Sequence, residues 1–505
     1  MIDKKTNKKG ISSEKYIPKG IVIEDIVLTN CDGTSSKDLR YVTLEMNIYE
    51  DIWQTQIMGD ITIRDDNEWI QTFPIIGEET IDIKFHVPTK NSSIKLKKFR
   101  VYKVGNRSSS GATLGRAQVY TLYFMSSEIM TNFNTMVSRS FNSVSASHIV
   151  DTIYKEYLNS PKPIDIEPTE GNLKVVFPSW TPLRIICWLA SNRAINKATN
   201  ADFVFFEAID KEVGPKYYFK SIQTLLSQEP TFTLKFDIQN KSDSATGPNK
   251  GMKDISSQNQ NVNQFSFDKH GNSLKNNMKG LYDQTWIFFD PLRKKFVVSK
   301  YNHDEDFVQK QENKTSKFYT ETTKKESKPL SFLRMPGGVN SFPTDISPSK
   351  ALNNDPTKAH ESAPLRKMVK YIADRETTDE LETTSLIPDH GYKRVFKFQQ
   401  MNNFRLTIND FPGTDDIQCG KTVNFEKPHI SSDPERFGNK AGTFKDKYVS
   451  GNYLVTRLRH RITFHVTKRD FFYTQYIELV KDDFETDIKP FENKITQGQV
   501  GGLPI

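Results

Sequence analysis

The chain has 505 residues, of which 26% are charged and 36% apolar, and a net charge of +8. That length argues against one core and for two to four domains, and 34 Phe and 19 Tyr exclude general disorder. Half of the charge sits in the first twenty residues, where six lysines face Asp3 and Glu14, so residues 1–18 read as a basic flexible arm on a nearly balanced body. Such an arm is either simply solvated or a contact for nucleic acid or an acidic surface. No apolar run approaches ~20 residues and the start lacks an apolar h-region, so neither a membrane span nor a secretion signal is expected. Cys31, Cys187 and Cys419 lie far apart without a CxxC pair, which suits a protein made in a reducing cytoplasm, without a disulfide framework.

From Ile21 the hydrophobic period is two. Leu44, Met46 and Ile48, then Ile61 and Ile63, then Ile81, Ile83, Phe85 and Val87, and then Val119, Thr121 and Tyr123 alternate with polar neighbours. Gly59, Gly77 and the Gly105–Gly115 stretch punctuate them, so residues 19–131 read as an antiparallel β-domain. Near residue 140 the period becomes helical. Ser145 or Ser147 caps Ile149, Val150, Ile153, Tyr154, Tyr157 and Leu158 on one face. A second, nearly all-apolar helix begins at Thr181-Pro182, and Phe203–Phe206 and Tyr217–Phe219 are strand-like. Residues 132–238 therefore form a small α+β domain.

Residues 239–264 hold no aromatic residue and have linker composition. Residues 265–308 read as a β-hairpin region of the middle domain, around Trp286–Phe289 and Phe296–Val298. Residues 309–391 read as an irregular insertion or connection. β-character returns over 392–484 with Val395–Phe398, Leu406–Ile408, Val423–Phe425, Tyr453–Leu458 and Tyr473–Val480, before a C-terminal tail, 485–505.

The first and last β-segments echo each other. Gly77–Ile83 and Gly420–Phe425 each open a strand. Phe99–Val104 and Tyr453–Leu458 follow, and then Tyr120–Tyr123 and Tyr473–Tyr476. A duplication is one reading of this and chance likeness of strand composition the other.

Candidate chemistry fails on spacing or context. Gly413–Thr422 ends like a phosphate loop, but Asp415 stands where glycine is required and the context is turn-to-strand. His460 and His465 are five apart on a strand and so face opposite ways, which prevents shared metal ligation. His303-Asp304-Glu305-Asp306 lacks the glycine turn and distal Glu of a calcium loop, and Asp65-Asp66-Asn67 reads as a turn. No nucleophile elbow and no HExxH helix occurs. No catalytic, cofactor-binding or metal-binding residues are assigned, and the chain is expected not to be an enzyme.

Glu50-Asp51-Ile52-Trp53, Gly59-Asp60-Ile61-Thr62-Ile63-Arg64-Asp65-Asp66-Asn67 and Phe73-Pro74-Ile75-Ile76-Gly77-Glu78-Glu79 form a run. It resembles the opening domain of baseplate central hub proteins of contractile-tailed phages. Phe411-Pro412-Gly413, Gly420-Lys421, Ser450–Val455, Arg459-His460 and Glu478-Leu479 are similar to the second such domain. Phe177–Pro182 is similar to the entry of their central helix.

The resemblance implies a mostly β fold with two tail-tube-like antiparallel β-barrel or sandwich domains and an α+β insertion. It implies a homotrimer whose six β-domains ring a channel that DNA passes transiently. Its partners would be the hexameric tail tube protein, the trimeric central spike protein and other baseplate proteins, without stable membrane association. The location would be the baseplate of the virion tail, after assembly in the host cytoplasm. Trp53, Trp69, Phe73, Phe404 and Phe411 are candidates for ring contacts, the alternative being core residues within each domain. Competing readings are a wedge or receptor-binding tail component, a hub carrying a cell-wall hydrolase activity, and a secretion-system spike hub.

Overall fold

The structure, a computed structural model, describes residues 20–73, 75–87, 93–109, 117–198, 200–236, 260–269, 283–290, 295–302, 366–371, 386–401, 404–428, 446, 449–465 and 470–481. The basic arm, most of the polar linker, His303–Asp306, most of the 309–391 insertion and the tail lie outside the described residues.

The first β-unit contains β1 (Val22–Thr29), β2 (Ser36–Asp38), β3 (Thr43–Asp51), β4 (Met58–Asp65), the short α1 (Trp69–Thr72), β5 (Thr80–His86), β6 (Ser93–Ser109) and β7 (Gln118–Ser126). The order is β3-β4-β7-β6-β5-β1-β2 with antiparallel neighbours. Alternation puts Met46, Ile48, Ile61, Ile63, Ile81, Ile83, Phe85 and Leu122 into one core. Asp65 behaves as the turn residue its sequence suggests, its carboxylate accepting the Asn67 and Trp69 backbone N–H groups at 2.9 and 2.7 Å.

The middle region contains α2 (Glu128–Asn134), β8 (Val137–Val144), α3 (Ala146–Thr152) running on as a π-helical turn, Ile153–Leu158, then β9 (Ile164–Ile166), β10 (Leu173–Trp180), α4 (Pro182–Asn192), β11 (Phe203–Asp210), β12 (Gly214–Ser221) and α5 (Ile222–Leu226). It has its own core around Ile149, Ile153, Leu183, Ile186, Phe203 and Phe219. Ser145 caps α3 through the His148 N–H. Thr181 occupies the N-cap of α4 but makes no capping bond with its side chain; Asn132 from α2 accepts the Leu183 N–H at 2.8 Å instead.

Then follow β13 (Phe232–Phe236), β14 (Asn261–Val262), β15 (Phe265–Lys269), β16 (Asp283–Asp290), β17 (Lys295–Asn302), β18 (Arg366–Tyr371), α6 (Leu386–Met401), β19 (Arg405–Pro412), β20 (Thr422–Glu426), β21 (Gly451–His465) and β22 (Asp470–Val480). The hairpin read around residue 290 is β16–β17, which with β18 forms a separate three-stranded sheet. Phe265–Lys269, read with the middle domain, instead pairs with β19. There Phe265 and Phe267 meet the rings of Phe425 and Phe404 at 5.4 and 5.1 Å.

Val395–Phe398, read as a strand, is helical. Helical spacing lets Arg394 and Phe398 point the same way. Arg394 donates to the carbonyls of Ala190 and Phe203 at 3.1 and 2.7 Å, and Phe398 meets Trp53, ring centroids 5.2 Å apart.

The second β-unit repeats the first. Taken in chain order, β15, β19, β20, β21 and β22 are arranged β20-β21-β22-β19-β15, all antiparallel. The corresponding strands β3 to β7 are arranged β5-β6-β7-β4-β3. The likeness extends to irregularities. A β-bulge interrupts β6 against β7 between Val101 and Lys103, and β21 against β22 between Val455 and Arg457. The Val101 N–H bonds the Glu79 carbonyl and the Val455 N–H bonds that of Lys421, both at 2.9 Å.

These pairings align Phe99 with Tyr453 and Lys103 with Arg457. They also shift the sequence echo. Gly77 corresponds to Cys419 rather than Gly420, and Tyr120–Tyr123 correspond to Gln475–Glu478, two residues beyond the aromatic match. The units differ outside the repeat. The neighbour of β5 is antiparallel β1, whereas that of β20 is parallel β13.

Candidate assembly interface

The two units are joined inside the chain by one strand edge. The first part of β21 pairs with β20 through Gly451–Leu454. Beyond the bulge the same edge takes β3 antiparallel, from Arg457 opposite Asp51 to Thr463 opposite Glu45. The fourteen-stranded sheet therefore runs through both units.

Alternation divides this joint into two faces. On one, Arg457 bonds Asp51 at 2.8 Å, Arg459 bonds Asn47 at 3.0 Å, and Arg461 grips both oxygens of Glu45 at 3.0 and 3.1 Å. Although burial opposes it, the Arg461 pairing holds the Glu45 carboxyl below its ordinary value.

On the other face Leu458, His460 and Ile462 meet Met46, Ile48 and Glu50 in the interior. The Gln475 amide donates to the Tyr473 hydroxyl at 2.9 Å and to the Thr414 carbonyl at 2.8 Å. Burial pushes the Tyr473 phenol well up, so it stays protonated. Having accepted from Gln475, it donates to His460 Nδ1 at 2.6 Å, leaving Nε2–H for Glu50 at 2.6 Å. The other Glu50 oxygen accepts the Ile209 N–H of β11 at 2.7 Å. Three regions of the chain thus close on one buried carboxylate.

A second buried carboxylate fastens the first unit to the middle region. Glu207 of β11 accepts the Ile57 N–H at 3.0 Å and the Ser126 hydroxyl. Lys162 bridges Glu207 and Glu128, both at 2.7 Å. Burial raises the Glu207 carboxyl. Against the opposing effect of burial, Glu207 and Glu128 raise the Lys162 ammonium.

Phe73, Phe404 and Phe411 lie inside the chain's own cores, at 4%, 4% and 1% exposure. Trp53 and Trp69 are half-buried against those cores. The five do not converge on a common surface patch: Phe73 and Trp69 belong to the first core, Phe404, Phe411 and Trp53 to the second. His460 is buried and His465 exposed, on opposite faces of β21 as their spacing requires. The hydrogen-bonded role of His460 was not legible because its partner Glu50 is 410 residues away. Gly420 lies in a turn before β20 with its α-carbon against the Phe206 ring, a backbone approach set by packing. Among the described residues no three His, Cys, Asp or Glu side chains are grouped to hold a metal.

The second unit's joining edge has a counterpart in the first. Val104 and Gly105 of β6 correspond to Leu458 and Arg459, but no described strand lies beside Tyr102–Ser109 on the β5 side. Tyr102 is 45% exposed, whereas its counterpart Thr456 is fully buried with its carbonyl accepting the Ile52 N–H. Ile76 nearby is 63% exposed.

No protein-family profile matches the chain, and no curated protein does. Solved structures with a similar course include a tail protein from Neisseria meningitidis (10% identity, 92% of this chain and 97% of that one, TM-score 0.48). A 43 kDa tail protein of prophage MuSo2 from Shewanella oneidensis is another (9%, 91% and 100%, TM-score 0.46). A third is an E. coli component of the type VI secretion system (9%, 93% and 79%, TM-score 0.41).

Proposed function

We propose that the chain is a structural protein of a contractile phage tail, the central hub of its baseplate, and that it works by assembly rather than by catalysis. The observation that carries this reading is that one chain holds the same five-stranded unit twice, edge to edge. Three such chains supply six similar units in alternation. A ring of that kind presents near-sixfold symmetry to a hexameric tail tube while keeping threefold symmetry for a trimeric spike, with a channel for the passage of DNA. The N-terminal run Glu50–Glu79 and its likeness to hub proteins support the same reading. The described residues contain no helix long and apolar enough to cross a membrane.

The test is mass and shape. Light scattering of the purified chain is expected to give about 174 kDa, three copies of 58.1 kDa, and electron microscopy a ring of six lobes. A chain that stays at 58.1 kDa at high concentration sinks the proposal.

A further inference from the structure

We propose that the open stretch of β6, Tyr102–Ser109, is a docking edge for β15 of a second copy of this chain. The pairing would be antiparallel, in the register that β21 gives β3 within one chain. This rests on the assembly reading above and specifies which edges carry it.

The repeat supplies the occupant. β3 is the first strand of the first unit and β15 the first strand of the second. Their pairing with β4 and β19 aligns Met46 with Phe265, Asn47 with Ser266 and Ile48 with Phe267. β21 and β6 are likewise the same strand of the two units. The chain therefore contains this joint once as a finished contact, β3 on β21. It also contains the two halves separately, β15 in the second unit and the open β6 edge in the first. They sit on different units, so the contact between copies is head-to-tail and can close into a ring.

The chemistry of β6 suits such a joint. Lys103 stands where Arg457 reaches across to Asp51, and Arg107 adds a second exposed cation; opposite them β15 would bring Ser266 in the place of Asn47 and, at a bulge, the pair Asp268-Lys269 in the place of Tyr49. Tyr102 and Ile76 supply exposed apolar area beside the edge. The register departs from the template at two points, the bulge of β15 between Phe267 and Lys269 being one. A second bulge between Gly105 and Ser108 puts two residues, Asn106 and Arg107, where β21 has His460. Counting across it brings Ser108 level with Arg461, and hence opposite Ser266 of the second copy.

The test is a disulfide across that register, in a Cys31→Ser background because Cys31 is exposed. Ser108→Cys combined with Ser266→Cys is expected to give a covalent three-chain species on a non-reducing gel, collapsing to one chain on reduction. Asn47→Cys with Arg461→Cys, the same positions in the finished joint, serves as control: it should link within one chain without changing chain number. Lys103→Glu with Arg107→Glu is expected to weaken association at least about tenfold while leaving the chain folded by circular dichroism. A trimer by light scattering that neither cross-links at 108–266 nor responds to the charge reversal overturns the edge assignment and leaves the ring reading standing. A monomer at high concentration in the Cys31→Ser background overturns both.

Discussion

Leu458 and Val104 occupy the same position of the same strand in two copies of one unit, yet Leu458 is fully buried and Val104 only half-buried. The difference is the neighbour: β3 covers β21, and no described strand covers that part of β6. Each side chain set matches its state. The covered edge carries a histidine locked between a tyrosine and a glutamate, a network that is stabilising only when every member is satisfied. The open edge carries a bulge with Asn106 at φ +53°, exposed Lys103 and Arg107, and serine. Charges and bulges are how an edge strand stays soluble until its partner arrives. One backbone plan thus serves as a permanent joint and as a surface.

The largest expected effect tests whether the middle region holds the units in place. Lys162→Met leaves Glu207 and Glu128 buried without their cation and should cost about 3–5 kcal/mol near neutral pH in chemical denaturation. Glu207 already has a raised pKa in the folded state. A raised carboxyl favours the fold below its unfolded value and loses that advantage as pH rises through the folded value. The variant should therefore regain stability on acidification from about pH 7 to about pH 5; continued loss over that interval would refute the account.

His460→Ala breaks the covered joint and strands Glu50 and Tyr473. It should cost about 2–4 kcal/mol, whereas Ser108→Ala at the open edge should stay within about 0.5 kcal/mol in the isolated chain. Equal costs would erase the contrast between the edges. Gly59→Ala probes a point where the units differ: a Cβ there would lie 2.2 Å from the Phe124 ring, while the corresponding position of β19 is Leu406. A loss of about 1–3 kcal/mol is expected in thermal melts.

The smallest effect belongs to the outer face. Arg461→Ala should cost under about 1 kcal/mol and be blunted by salt. Because Glu45 is depressed from its ordinary 4.5, its contribution is complete above that value and fades as pH falls through the lower folded value. A loss confined to alkaline pH would contradict this pairing.

Most strands were legible because period two survives in any sheet with one buried face. The duplication was legible as an order of strands but not as a register. A slip of two residues along β7 and β22 keeps every side chain on its proper face, so alternation cannot detect it. Val395–Phe398 looked like a strand because four apolar-rich residues are too few to separate the two periods. Phe265–Lys269 was read with the wrong region because its partner strand begins at Arg405, far along the chain. The five aromatic candidates lie in or against the two cores, and the joint within the chain is built from backbone edges, arginines and a buried histidine that composition does not distinguish.

Between the first and second strands of the unit, the chain spends only residues 52–57 in one copy and residues 270–404 in the other. The flanking ends scarcely register the difference: Phe267 and Phe404 still touch, centroids 5.1 Å apart. That corner is a socket. It accepts added sequence, β16 to β18 and α6 among it, while the sheet keeps its strand order and register.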